Sequence, residues 1–276
     1  MSRKNARHLI KIDNFQRFYT FLMPKRTQSI CWTVIQTEAT NLLAFIKQKK
    51  QEGFEITIFH ITIAALLRTA SQFPELNRFI YGHKFYAREE YTFSFAVNLG
   101  KNTVMRKIWL KPEYDLFTVS EKLREIVSKA HKNPDDSLDS SIDMLMKLPS
   151  FITSIITKVY PWLVDKCLIP LKVVEDDVLY SSAIISNLGS FGLNAPFHHL
   201  YEWGNTSVFI TMGILRKAPI VLEDNTLKVA DILDFGFTVD ERICDGKKLS
   251  EALLFFKKCI EDPRILATTP QEVIRE

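Results

Sequence analysis

The chain has 276 residues, 46% hydrophobic and 25% charged, and 36 lysines and arginines against 32 aspartates and glutamates leave it a net charge of +4. That length fits one large domain or two small ones, the composition is ordinary for a globular protein, and the charge is too mild to indicate a nucleic-acid partner. The longest apolar stretch, Leu148 to Val164, contains Pro149, Lys158 and Pro161. It falls short of the ~20 clean residues a bilayer span needs, and the N-terminus lacks the apolar core of a signal peptide, so the expected compartment is the cytoplasm.

Residues 13–26 open on Asp13-Asn14, a helix cap, and continue through Phe15, Phe18, Tyr19 and Phe21 to a stop at Pro24. Residues 29–35 read as a strand, rich in β-branched and aromatic types. Residues 40–50 have helical spacing at Leu42, Leu43, Phe45 and Ile46, and lysines at the C-terminal end that suit the helix dipole. Residues 59–73 are apolar on every side and predict a buried helix, broken at Pro74. Strands are expected over 79–87 (with a turn at Gly82-His83), 91–98 and 103–110, then an amphipathic helix over 117–132.

Residues 133–141 form a polar loop, the best linker candidate but too short to establish a boundary. Residues 142–171 read as helical, very apolar and interrupted by Pro149, Pro161 and Pro170. Strands are predicted at 183–186, 208–215 and 232–239, and a last helix at 248–259. This mixture lacks regular strand–helix alternation and points to an α/β sandwich with helices layered on a mixed sheet. Cys31, Cys167, Cys244 and Cys259 show no C-x-x-C spacing; their apolar settings predict buried, reduced thiols.

Four stretches in order carry a resemblance. They are Asn14-Phe15-Gln16-Arg17-Phe18-Tyr19; Thr40–Leu43 with the buried helix and its Pro74-Glu75-Leu76-Asn77-Arg78 ending; Ile185-Ser186-Asn187-Leu188-Gly189-Ser190-Phe191-Gly192; and Gly236 to Gly246, followed by the last helix and Glu261 to Leu266. Together they resemble the superfamily of chloramphenicol acetyltransferase and the catalytic domains of 2-oxoacid dehydrogenase acyltransferase components. The resemblance implies a two-layer α/β sandwich, mixed sheet with helices packed on it, forming one domain over residues 1–276. Flexible ends are expected at 1–12 and 268–276, with no lipoyl or subunit-binding domain. It also implies coenzyme A or an acyl-CoA as co-substrate, no metal, a small-molecule acyl acceptor, and a homotrimer whose active sites lie between subunits.

In that superfamily a histidine in an H-x-x-x-D-G motif takes the acceptor's proton, and a serine matching Ser186 donates a hydrogen bond to the oxyanion. Here the motif reads Glu241-Arg242-Ile243-Cys244-Asp245-Gly246. Moving a proton from a thiol of reference pKa ~8.5 to a carboxylate of ~4.3 is uphill by roughly 6 kcal/mol, against about 3 for imidazole. A buried carboxylate, an amine acceptor or one already partly ionised relaxes that demand.

Three readings of Glu241 stay open. It is a substitute base, a turn carboxylate pairing with Arg242 in a catalytically inactive trimeric homologue that binds or regulates, or a bystander to a base supplied by His198 or His199. Adjacent histidines on a strand would point to opposite faces, and the two alone do not supply a metal site. The resemblance gives Asp245, Gly246, Asn187 and Gly189 structural parts. It gives Phe15, Phe18 and Tyr19 a place in an acceptor pocket, against a packed helix face on the plain reading. His60 reads as a satisfied core histidine. Stretch 142–171 offers an apolar surface to a lipidic acceptor or membrane, with core or oligomer contact as the plainer alternative.

Overall fold

The computed structural model describes residues 6–100, 103–133, 145–166 and 168–276. Its centre is a seven-stranded sheet of β2 (Ile30–Glu38), β5 (Tyr91–Asn98), β6 (Thr103–Leu110), β7 (Ala183–Asn187), β8 (Val208–Met212), β9 (Arg216–Val221) and β10 (Leu227–Asp240). The order is β2-β10-β8-β7-β5-β6, with β9 added beside the first half of β10. The β5–β7 and β7–β8 pairs are parallel and the rest antiparallel. A smaller sheet is built from β1 (Ala6–Leu9), β3 (Arg78–Tyr81) and β4 (Lys84–Arg88).

Helices α2 (Thr40–Gln51), α3 (Ile58–Gln72), α4 (Leu116–Lys132) and α7 (Gly246–Glu261) cover one face of the large sheet. Period-2 alternation along β10 sends Leu233, Phe235, Phe237 and Val239 into this layer. There Phe235 and Phe237 meet Phe256 of α7 edge to face. The result is the two-layer α/β sandwich expected from the sequence. Asp13, Asp115 and Asp245 each cap a helix, accepting backbone N–H groups of the first turn.

Helix α1 (Asn14–Leu22) ends before Pro24, and a 3-10 turn over Arg26–Gln28 leads into β2. The strand expected over 208–215 stops at Met212, and beyond it lies a hairpin that the sequence did not suggest. In it β9 returns against β10 through a turn in which Asn225 takes φ 63, a conformation asparagine tolerates.

Of the flexible ends expected at 1–12 and 268–276, residues 1–5 lie outside the described residues, and the rest is tied to the body at a few points. Ala6–Leu9 pairs with Phe85–Arg88, and Ala6 is buried. Ile274 donates its backbone N–H to Ser71, and Glu276 pairs with Arg78. Most residues of both ends are nevertheless exposed, Ile10 at 82% and Ile274 at 42% among them, so backbone pairing and the Arg78–Glu276 contact hold them rather than burial. The linker expected over 133–141 lies outside the described residues from position 134 onward, as do residues 142–144 of the apolar stretch. The rest of that stretch forms α5 (Ser150–Asp165), which runs through Pro161, and the short α6 (Leu171–Glu175). No helix among the described residues is long and apolar enough to cross a membrane.

His60, in the first turn of α3, is buried, and its Nδ1 has no hydrogen-bond partner. Burial, followed by the nearby charge of Arg124, pushes its pKa down to about 4. A base with a depressed folded pKa binds its proton in the unfolded chain first. Stability is therefore lost as pH falls from ~6.5 towards 4. The expected loss from this one group between pH 7.5 and 5 is about 2 kcal/mol. Urea unfolding of the parent and of His60→Leu at both pH values should show a difference of that size, because the leucine variant has no proton to take up.

Candidate functional site

The turn after β10 is built on a buried ion pair. Asp240 is 0% and Arg242 2% exposed. The guanidinium grips the carboxylate through Nε to Oδ1 at 2.8 Å and Nη2 to Oδ2 at 2.7 Å, while Ser29 Oγ donates to Oδ1 at 2.8 Å. Arg242 Nη1 reaches the carbonyl of Met23 at the end of α1, and Gln16 Nε2 in α1 donates to the carbonyl of Arg242. A bidentate, charge-assisted pair anchored on both sides is rigid.

Arg242 therefore does not pair with Glu241, contrary to one reading of the sequence. The Glu241 backbone N–H is tied to Ser29 at 2.9 Å. Its half-buried side chain makes no ion pair or hydrogen bond among the described residues. Asp245 accepts from Lys248 N at 2.8 Å and starts α7. A Cβ on Gly246 would meet open space, so no neighbour among the described residues demands glycine there.

Helix α1 presents Phe15, 63% exposed, and Phe18, 52% exposed, to solvent, with Tyr19 half-buried against Phe15. They are not the packed face of the helix, whose one buried residue is Thr20. Because α1 is bonded to the 240–242 turn, these aromatics belong to the same corner of the molecule as Glu241.

Cys31, across from Val239 on β2, is only half-buried rather than buried as expected. Its thiol is raised first by burial and then by the charge of Glu241. Burial pushes the Cys244 and Cys259 thiols up to about 12; both are free and buried, and Cys167 lies outside the described residues.

Ser186 stands elsewhere in the sheet. It is opposite Thr211 on β8, and Thr211 is opposite Gly236 on β10, five residues before Glu241. Two inter-strand steps and five residues of strand put Ser186 and Glu241 on the order of 20 Å apart. One chain does not bring them to the same substrate atom. After Ser186, Asn187 Oδ1 accepts from Ser190 N at 3.2 Å. A Cβ on Gly189 would lie 2.3 Å from the carbonyl oxygen of Gly213, so only glycine fits this turn.

His198 and His199 do not lie on a strand, so the alternation expected of them fails. Residues 193–200 cross the sheet face opposite the helices as irregular backbone. Thr211 Oγ1 holds the carbonyl of Pro196 at 2.6 Å, and Thr238 Oγ1 and Trp32 Nε1 both donate to the carbonyl of His198. Gly236 makes the crossing possible, since a Cβ there would meet Thr211 Oγ1 at 2.5 Å and the Pro196 oxygen at 2.8 Å. The two imidazoles stack on each other at 4.5 Å, and His198 stacks on Phe209 at 3.9 Å. Neither is hydrogen-bonded to Glu241. Among the described residues no three His, Cys, Asp or Glu side chains cluster as a metal site.

The sequence reading missed Asp240, Arg242 and Ser29 as the frame of the turn. The visible signal was the i,i+2 spacing of two opposite charges at the end of an apolar strand.

This architecture is the chloramphenicol acetyltransferase-type fold. Residues 171–268, from α6 through Ser186 and Glu241 to seven residues beyond α7, match the family of 2-oxoacid dehydrogenases acyltransferase (catalytic domain). The chain is 23% identical over 235 residues, 83% of its length, to the lipoamide acyltransferase component of the branched-chain alpha-keto acid dehydrogenase complex of Bacillus subtilis (strain 168). It spans about half of that curated relative, 46% of its length.

Among solved structures, a probable dihydrolipoamide acetyltransferase from Listeria monocytogenes 4b F2365 superposes with a TM-score of 0.62 at 19% identity, over 92% of this chain and 94% of that one. The dihydrolipoamide acetyltransferase of Azotobacter vinelandii, investigated for the role of a serine, a histidine and an asparagine in its catalytic mechanism, gives 0.61 at 15%, over 91% and 88%. A chloramphenicol acetyltransferase gives 0.55 at 14%, over 93% and 99%.

Proposed function

We propose that this chain is an acyltransferase moving an acyl group from an acyl-CoA thioester to a hydroxyl, thiol or amine, with Glu241 in the base position. The observation that carries the proposal is the uncommitted carboxylate of Glu241. It sits on a turn whose arginine is occupied by Asp240 and the Met23 carbonyl, so its charge has no counter-ion among the described residues. The ~20 Å between Glu241 and Ser186 supports an assembly, here a homotrimer, in which Glu241 of one subunit faces Ser186 of another.

In such a site the acceptor attacks the thioester carbonyl as Glu241 takes its proton. The tetrahedral oxyanion then accepts a hydrogen bond from the Ser186 hydroxyl. Collapse breaks the C–S bond, and the CoA thiolate leaves with the proton Glu241 returns. The aromatics Phe15, Phe18 and Tyr19 line the acceptor side of this corner. An amine or a low-pKa thiol suits the carboxylate best, since the proton transfer is then least uphill.

Calorimetric titration of the purified protein with CoA and with acetyl-CoA tests the donor side. Saturable binding with a micromolar Kd is the expected result. No binding of either would overturn the assignment of a CoA-linked donor.

A further inference from the structure

Helix α5 is attached to the body at its C-terminal end, where Val164 is buried with Val174 and Tyr180, and Tyr160 stacks on Trp203 at 4.8 Å. From that foothold the rest of the helix leaves a row of large apolar side chains in solvent. Phe151 is 66%, Ile155 57%, Val159 42% and Trp162 54% exposed. Their spacing of four, four and three places them on one stripe about 17 Å long. Core contact, the plainer reading of this stretch, does not describe these four residues.

We propose that this stripe seats the protein on the surface of an anionic lipid bilayer, the helix lying in the interface plane. Two features favour a bilayer. Between residues 145 and 166 the sequence has three lysines, Lys147, Lys158 and Lys166, against one acid, Asp165. Lys158 and Lys166 are exposed and lie alongside the stripe, where they meet lipid phosphates while the apolar row enters the acyl boundary. The row carries aromatic residues at both ends, Phe151 and Trp162, types that sit well at headgroup depth. Its exposed apolar area, on the order of 400 Å² for four such side chains, is of the size that marks an interaction surface. The inference stands on α5 alone and is independent of the acyl-transfer reading.

Co-sedimentation of the full chain with vesicles of phosphatidylcholine and phosphatidylserine, 7:3 by design, and of phosphatidylcholine alone, tests it. Binding is expected to the anionic vesicles and to be at least tenfold weaker to the neutral ones. The triple variant Phe151→Ser/Ile155→Ser/Trp162→Ser should lose at least tenfold in binding. The double variant Lys158→Glu/Lys166→Glu, which spares the apolar row, should fall to the neutral-vesicle level. Failure of the parent chain to bind anionic vesicles, or unchanged binding by both variants, would overturn the proposal. A parent oligomer that the triple variant dissociates, with no vesicle binding, would assign the stripe to a second copy of the chain and overturn it equally.

Discussion

Glu241→Gln is expected to lower kcat by about 10²- to 10⁴-fold, the usual contribution of a positioned general base, while the Kd for CoA stays within about twofold. The amide keeps the shape of the side chain and its lack of partners inside the chain, so the turn has no reason to move. Steady-state rates with an amine or thiol acceptor, set beside calorimetric CoA affinity, separate loss of chemistry from loss of binding. Activity within a few-fold of the parent would sink the assignment and turn attention to His198 and His199. Glu241→His supplies the complementary arm. It places an imidazole at this position and is expected to extend activity to hydroxyl acceptors, whose proton a carboxylate takes poorly.

Arg242→Ala is expected to destabilise the fold by about 3–5 kcal/mol, because it leaves the carboxylate of Asp240 buried without its counter-charge. For a chain of this size that lowers Tm by on the order of 10 °C. The loss spreads beyond the pair, since Arg242 also holds the carbonyl of Met23 and so the end of α1. The double variant Asp240→Asn/Arg242→Met should be less destabilised than the sum of its single changes, because it leaves no unpaired charge behind. Thermal unfolding of the three variants measures this coupling; strict additivity would mean the pair does not act as a unit.

Elements whose cause is local were legible in the sequence. The Asp13 cap, the apolar helix expected over 59–73 and found at Ile58–Gln72, and the turn at Gly82-His83 come from patterns that neighbouring residues set. Where distant segments decide, the reading ran out. The charge of Arg242 could go to either neighbouring carboxylate until Ser29 and Met23 closed over it from another part of the chain.

His198 and His199 looked like strand residues because the sequence does not show that Thr211, Thr238 and Trp32 pin their segment as irregular backbone. The β9 strand was hidden by Pro219 and a loop-like turn, and its pairing with β10 is a tertiary fact. The superfamily fold was readable from four short stretches. That Ser186 and Glu241 stand in different parts of one chain follows only from the resemblance, which puts the active sites between subunits, and not from residue patterns, because it depends on strand order.

The division of labour in the 240–246 turn bears on how this position can drift. Shape is entrusted to Asp240, Arg242 and Asp245, all anchored inside the chain, whereas residue 241 is anchored only through its backbone N–H. A mutation at 241 therefore exchanges one side chain for another without breaking a hydrogen bond or ion pair seen among the described residues. Carboxylate, imidazole or amide can stand at that spot while the turn keeps the shape that Asp240, Arg242 and Asp245 give it.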